Sequence, residues 1–337
     1  MATRVYRIEN LKEYQKAGPT DLIRMLPAPG CNALFLPKFV IEILVYVIAR
    51  HEIAHVSGPT GSAKTSLLEA LYRVPQNFTA VLEALGFEKR PLSLYPVEMA
   101  TFEAPGELYH RRALRDGSTY DEESAVVRAL TEASGQNGRF YHLIWLREMG
   151  RVHSASVQGG LLDLIYKGDV TLPGGRRVEC RNVAWVADSN YQAESEAMHT
   201  LVTLDDGLKR RFTVNLTIDY LTAEQELQVL KDVAAEECGG KTEEAMLQKI
   251  VRLGQEVRRH KGEGNLLSVP PPTIYGYLSF LRMAQCLPHL SPQLIAMCTL
   301  LGNSSSDDRK HVMGVFNEVF GLQPGQDDDP VKGGGLF

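Results

Sequence analysis

Between Gly58 and Thr65 the chain reads Gly58-Pro59-Thr60-Gly61-Ser62-Ala63-Lys64-Thr65. Small residues followed by a lysine and a hydroxyl are what a loop needs to wrap a polyphosphate. Backbone amides face the anionic oxygens only where the turns carry no bulk. The helix that opens behind such a loop directs its positive end at the same oxygens. In this pattern Lys64 supplies a point charge to the β- and γ-phosphates, the hydroxyl of Thr65 ligates Mg²⁺, and Ser66 follows in the first helical turn. One position departs from the Walker A pattern: Ala63 stands where glycine is usual. Alanine is the smallest residue after glycine, so the loop is expected to tolerate it.

A second chemical pattern overlaps the first. His51-Glu52-Ile53-Ala54-His55 spells the HExxH of zinc hydrolases. That chemistry needs both histidines one turn apart on a helix, with the glutamate as general base. The phosphate loop instead requires the residues just before Gly58 to form a strand. Residues four apart in a strand lie roughly 13 Å apart along its axis, too far for one zinc ion. The zinc reading is therefore rejected.

The elements that must hold the loop can be read from periodicity. Ile53 to Ser57 is a β-prone run, and Ser66 to Val74 places Leu67, Leu68 and Leu71 at helical spacing. Further strands are expected at Val5 to Ile8, Leu92 to Val97, Phe140 to Leu146, Val183 to Ala187 and Thr213 to Ile218. Helices are expected at Leu36 to His51, Glu122 to Ala133, Ser154 to Tyr166 and Leu204 to Arg210. Strands alternating with helices indicate an α/β domain with a parallel sheet. Pro173-Gly174-Gly175 between two short β-prone runs predicts a hairpin over 170–180. From Thr222 onward the pattern is helical only, at about 223–237, 242–260, 272–287, 292–302 and 308–320. Thr222 and Gln225 form a capping box, and Ser291-Pro292 is a helix start. The chain is thus expected to comprise an N-terminal extension (1–35), an α/β nucleotide-binding domain (36–220), a helical lid (221–320) and a flexible tail (321–337).

Bulk composition narrows the function. Lys and Arg number 36 against 41 Asp and Glu, so no polybasic surface for nucleic acid is expected. The five cysteines are widely spaced with no CxxC, which fits a reducing compartment better than a disulfide framework. The apolar run from Phe39 to Ala49 contains Glu42 and is too short to span a bilayer. A cytoplasmic protein without a membrane partner is the expectation.

With the phosphate loop placed, the chain resembles the MoxR-like, dynein-related branch of the AAA+ ATPases. The likeness covers roughly Leu36 to Lys231, and more loosely the helices behind. It is carried by Leu143-Ile-Trp-Leu-Arg147-Glu148-Met-Gly-Arg151, similar to the Walker B run; by Val183-Ala-Trp-Val-Ala-Asp188-Ser-Asn190, similar to the sensor strand; and by Leu204-Asp-Asp-Gly-Leu-Lys209-Arg210-Arg211-Phe212, similar to the arginine-finger segment. The resemblance implies ATP and Mg²⁺ as cofactors, with Gly58 to Ser66 around the nucleotide. Glu148 falls on the glutamate that polarises the attacking water, and Asn190 on the residue that helps hold that water. Arg211, with Arg210 as second candidate, falls on the finger that reaches the γ-phosphate of a neighbouring subunit. The family therefore implies a homo-oligomeric ring, usually a hexamer. It also implies chaperone-like remodelling of a client, often a protein bearing a von Willebrand factor A domain. Phe102 to Leu108 and the 170–180 hairpin resemble family loops that face the pore or the partner.

Two positions depart from the family. Arg147 stands at the Walker B aspartate, and a guanidinium, always charged, cannot ligate a cation. It is expected to turn away or to pair with an acid, Asp188 being the candidate; alternatively Asp188 or a water takes over the outer shell of Mg²⁺. Thr273 stands where the sensor 2 arginine is usual, with Arg282 a distant substitute. Slow hydrolysis follows, and the rival reading is a nucleotide-gated scaffold that does not hydrolyse. Lys64→Ala removes the charge that holds the phosphates and is expected to weaken ATP binding strongly. Unchanged affinity by calorimetry would overturn the loop assignment.

Overall fold

The computed structural model describes residues 4–135, 138–152, 154–167, 169–172, 175–179, 181–190, 205–237, 242–264, 269–301 and 305–322. Pro173 and Gly174 of the expected hairpin turn, Leu204, Cys180, Cys238 and the tail beyond 322 lie outside them. The chain divides into two units, Tyr6–Asp219 and Tyr220–Phe337, with Met1–Val5 grouped with the second.

The first unit is built on a five-stranded parallel sheet. Its members are β4 (Ile53–Gly58), β5 (Leu92–Glu98), β8 (Tyr141–Arg147), β11 (Val183–Asn190) and β12 (Val214–Thr217), in the order β12-β4-β11-β8-β5. This is the α/β architecture with a parallel sheet that the alternation of strands and helices predicted. Register assigns the faces, because partners across a parallel ladder share one side. Ala54, Val56, Leu143, Trp145, Ala184, Val186 and Leu216 pack on one side with helices α2 (Lys38–Ala49), α3 (Lys64–Arg73) and α4 (Pro75–Ala84). Ile144, Leu146, Val183, Trp185 and Ala187 pack on the other with α5 (Ala125–Gly135) and α6 (Ala155–Lys167). The apolar run from Phe39 to Ala49 is the interior helix α2, with Val40, Ile41, Leu44, Val45, Val47 and Ile48 all buried.

Residues 6–35 share this core rather than standing apart from it. β1 (Val5–Arg7), helix α1 (Leu11–Lys16), β2 (Leu22–Met25) and β3 (Leu34–Pro37) form a small sheet, order β1-β2-β3, with one short helix. Ile8, Tyr14, Ile23, Met25 and Leu36 join the α2 side of the core. The buried amide of Asn77 clamps the segment: its Nδ2 donates to Leu26 O at 2.9 Å and its Oδ1 accepts from Leu26 N at 2.9 Å. Leu36, expected to open the apolar helix, belongs to β3, and the helix starts only at Lys38.

One element departs more sharply from expectation. β6 (His110–Arg115) and β7 (Ser118–Glu123) form an antiparallel ribbon where a helix was expected from Glu122. The helix α5 begins only at Ala125, behind Ser124, whose hydroxyl accepts from Val127 N at 3.1 Å. At the ribbon's turn Asp116 (φ 51°) and Gly117 (φ 77°) are both left-handed, the requirement of a tight type I′ hairpin. β9 (Asp169–Thr171) and β10 (Arg177–Glu179) pair antiparallel where the other hairpin was expected.

From Tyr220 onward the described residues form helices and no strand: α8 (Ala223–Glu237), α9 (Glu244–Gly262), α10 (Ile274–Cys286), α11 (Pro292–Ala296), a π turn (Met297–Leu301) and α12 (Ser306–Phe320), α7 (Asp206–Lys209) being the last helix of the first unit. The capping box forms as read: Gln225 N donates to Thr222 Oγ1 and Thr222 N to Gln225 Oε1. Ser291 Oγ caps α11 through Leu294 N. Gly254 in mid-helix is explained by contact, since a Cβ there would lie 1.7 Å from the Tyr277 hydroxyl oxygen. At the centre, buried Glu226 pairs with Arg258 at 2.6 Å; Arg258 also donates to Pro272 O and lies over the Tyr220 ring.

That pair yields a pH-dependent expectation. Burial pushes the Glu226 carboxyl above its ordinary range although Arg258 pulls it down. Removing one partner of a buried pair costs ~3–5 kcal/mol, of which an orphaned carboxylate recovers part by taking a proton. In Arg258→Ala the folded-state pKa of Glu226 rises further above its unfolded value. The stability linked to that proton is present at low pH and lost as pH rises through the folded pKa. Arg258→Ala is expected to cost about 3 kcal/mol near neutral pH, and clearly less at pH 5. Denaturant melts at the two pH values test this; equal losses would mean that Glu226 does not carry the effect.

Candidate functional site

The phosphate loop leaves the carboxyl end of β4. A Cβ on Gly58 would sit 2.0 Å from the carbonyl oxygen of Ile218, so only glycine lets the loop pass beneath the end of β12. Gly61 (φ 83°) turns the chain back. Ala63 (φ 70°, ψ 16°) is left-handed and immediately precedes α3. An L-residue in that conformation costs roughly 1–2 kcal/mol, and the structure retains it where the loop meets the helix. Thr60 and Gly61 are exposed, Pro59 and Ser62 are buried, and Thr65 and Ser66 are half-buried in the first turn of α3.

Lys64 is buried, and its ammonium lies inside the curl of the loop. Nζ donates to Gly58 O at 2.8 Å and Pro59 O at 2.7 Å, with Ser62 Oγ at 3.5 Å. The loop therefore already encloses a cation whose natural counter-ion would be a phosphate oxygen.

The carboxyl end of β11 lies beside the loop, with that of β8 one strand beyond it. Asp188 is 5% exposed and pairs in register with Val56 of β4. Its Oδ1 accepts from the Trp145 indole Nε1 at 2.8 Å and from the backbone N–H of Glu148 at 3.2 Å. Burial pushes the Asp188 carboxyl up; the two donors and the charge of Lys64 pull it back, and Glu148 opposes them. Glu148 itself is left-handed (φ 53°, ψ 50°), and its carboxylate meets Arg151 at 3.0 Å. Such strain in a non-glycine residue persists only where its surroundings over-determine it. Asn190 ends β11 opposite Gly58, at the mouth of the loop.

Arg147 does not pair with Asp188. Its guanidinium pairs with Glu98 on β5 at 2.5 Å and lies 4.7 Å from the centre of the Trp145 ring. The expectation that Arg147 turns to an acid holds, but the acid is Glu98, directly opposite it in the β5–β8 ladder. Glu98 and Trp145 are the residues that motif reading passed over. Their signal was the alignment of the two strand ends, which needs the register to be known.

Arg210 and Arg211 lie elsewhere. Both are exposed between α7 and β12, on a segment anchored by buried Leu208 and Phe212. β12 enters the sheet at Val214 opposite Ala54, so these arginines stand at the amino edge of the sheet and the loop at its carboxyl edge. The rise from Ala54 to Gly58 alone is roughly 13 Å. The sheet thus gathers Lys64, Asp188, Glu148 and Asn190 at one edge and keeps both arginines from the loop of their own chain. Thr273 precedes α10 and Arg282 lies within it, both in the second unit.

The HExxH residues are separated by the sheet itself. His51 (φ 56°) lies in the turn after α2, while His55 lies inside β4 with Nε2 2.8 Å from Ser189 Oγ and its ring against Phe212. Burial holds the His55 imidazole down at about 4. Among the described residues no group of three or more His, Cys, Asp or Glu is placed to hold a metal ion, and no helix is long and apolar enough to cross a membrane.

No family model matches the chain, and no curated protein matches it. Among solved structures it is similar to that of a candidate ATPase from Cytophaga hutchinsonii, with 15% identity and a TM-score of 0.40 over 85% of this chain and 89% of that one.

The strain at Ala63 is measurable. Ala63→Gly relieves the left-handed cost and returns part of the gain as freedom of the unfolded chain, for a net stabilisation of about 0.5–1 kcal/mol. A thermal melt checks the sign; a destabilised variant would mean that residue 63 is not left-handed in solution.

Proposed function

We propose that the chain is a Mg²⁺-dependent, ring-forming ATPase of the MoxR-like AAA+ type that remodels or activates a partner protein, with slow hydrolysis. The observation that carries this reading is the buried Lys64 ammonium curled into its loop, with Asp188, Glu148 and Asn190 gathered at the same edge of the sheet. The donor set fits a nucleoside triphosphate and its metal: glycine-bounded backbone, a lysine, a hydroxyl at Thr65 and nearby carboxylates. Bound Mg²⁺ would offset the charge that develops on the phosphates.

The chain's own groups divide the work. Residues Gly58 to Ser66 orient the phosphates, and Lys64 exchanges its loop carbonyls for phosphate oxygens. Glu148, released from Arg151, orients and polarises a water, and Asn190 at the mouth of the loop helps hold it. Arg211, or Arg210 beside it, serves the site of the next subunit, because the sheet keeps both away from their own loop. That placement supports a homo-oligomeric ring, a hexamer in this family. The helical unit beginning at Tyr220 is read as a lid and residues 1–35 as an extension of the nucleotide-binding domain. A client, or a protein with a von Willebrand factor A domain, is the partner, and the cytoplasm the compartment. The near balance of 36 Lys and Arg against 41 Asp and Glu argues against nucleic acid as a partner.

A second reading has its own support. Arg147 at the Walker B aspartate and Thr273 at the sensor 2 arginine favour a nucleotide-gated scaffold without turnover. Subunit mixing separates the two. Arg211→Ala and Glu148→Gln subunits are each expected to bind ATP with little or no turnover. Mixed rings are expected to recover part of it, because some interfaces combine an intact glutamate with an intact finger. No recovery in confirmed mixed rings would remove the finger role, and wild type without Mg²⁺-dependent turnover would leave the scaffold.

A further inference from the structure

The ends of β5, β8 and β11 raise a question of charge placement. The β8–β11 ladder pairs Trp145 with Val186 and Leu146 with Ala187, so the next rung sets residue 147 beside residue 188. Both belong to the side of the sheet on which α3 packs, as Trp145, Val186 and Val56 do. Neighbouring strands lie about 4.8 Å apart. A carboxylate moved from position 147 to position 188 therefore keeps its face and its height in the sheet and shifts one strand nearer to β4 and the loop.

We propose that the acid missing from the Walker B position of this chain is relocated to Asp188, which serves the Mg²⁺ shell in its place, with Trp145 as the positioning residue and Glu98 neutralising Arg147. This rests on the nucleotide reading above and deepens it. Asp188 is nearly fully buried, and both of its donors converge on one oxygen: the indole N–H of Trp145 and the N–H of Glu148 bind Oδ1. Oδ2 accepts no hydrogen bond from the described residues. That oxygen is not among the buried atoms left without a partner, so it opens to solvent, where a hydrated cation can approach it. The charge of Lys64 acts on it, so it belongs to the electrostatics of the loop. Mg²⁺ keeps several waters and takes its protein ligands sparingly, so an acid in its outer shell tolerates a shift of one strand.

Arg147 completes the arrangement. Left unpaired, its guanidinium would repel the metal. Glu98 instead draws it toward β5, the side away from β4, and the face of Trp145 supports it there. The same indole thus carries the cation on its ring and directs Asp188 with its N–H. Four side chains from three strands accomplish what one aspartate ordinarily does.

The test is calorimetric titration of the full chain with ATP, in Mg²⁺ and in chelator, reading the ratio of the two affinities. Asp188→Asn keeps the acceptor for both donors and removes the charge. It is expected to bind metal-free ATP at least as tightly, because a negative charge near the phosphates is lost, and to weaken binding in Mg²⁺ itself about tenfold or more, the usual cost of losing a second-sphere ligand. Arg147→Asp in the Asp188→Asn background is expected to restore binding in Mg²⁺, which a purely structural role of Asp188 would not allow. Trp145→Phe, which keeps the packing and loses the N–H, is expected to give a partial loss, and it serves as the reading if Asp188→Asn does not fold. Undiminished binding in Mg²⁺ by Asp188→Asn, or no restoration by the second substitution, overturns the relocation while leaving the nucleotide reading standing. Absence of ATP binding by wild type in either condition overturns both.

Discussion

Parallel pairing of β11 with its two neighbours is the constraint on which the site depends. It sets Asn190 against Gly58, Asp188 against Val56 and the end of β8 against the end of β11. In a parallel sheet every strand ends on the same edge, so the groups at those ends converge without any loop having to reach for them. The phosphate loop, the strained Glu148 and the buried carboxylate are consequences of that edge. The arginines that precede β12 fall on the opposite edge by the same rule.

The cost of the arrangement is concentrated in two residues. Ala63 and Glu148 both occupy left-handed backbone, one at the amino end of α3 and the other at the end of β8. Neither region would be chosen by an isolated chain. Each is bounded by buried neighbours: Ser62 and Lys64 around the first, Met149 and the Asp188 hydrogen bond around the second. The core beneath supplies the rigidity, with both sides of the sheet filled from Ala54 to Leu216 and from Ile144 to Trp185.

Much of this was legible in the chain because local pattern and global fold agree. The β4–loop–α3 unit could be read from a short apolar run, a glycine-bounded loop and helical spacing in succession. All five strands of the sheet were expected, and β8 and β11 at its centre are the continuous apolar runs that buried parallel strands require. The ribbon of β6 and β7 was missed because both strands are largely solvated and carry no apolar alternation; Asp116-Gly117 was its one signal, and it was passed over. β2 and β3 fall between the strand expected at Val5 to Ile8 and the helix expected from Leu36, where no further strand was expected. The partner of Arg147 was mistaken because charge alone does not choose between Asp188 and Glu98. That choice follows from which strand lies on each side and from Asp188 being already engaged by Trp145.

The ribbon has a consequence of its own. Its two strands face each other as His110 to Glu123, Arg111 to Glu122 and Arg112 to Asp121, a basic rail against an acidic one. Leu114 and Tyr120 near its tip are exposed, and no apolar core lies beneath β7. A lone two-strand ribbon is marginal in water. Beyond its turn and its backbone ladder, this one is tied down at its base by Glu122 to Arg128, by Glu123 to Arg176, and by Arg111 bonding Thr101 O across the Phe102 ring. Attractions of that kind fade as the Debye length contracts from about 10 Å to 3 Å between 0.1 M and 1 M salt. How firmly the base of the ribbon is tied is therefore sensitive to ionic strength, while the ladder of the ribbon itself and the apolar packing of the sheet behind it respond far less.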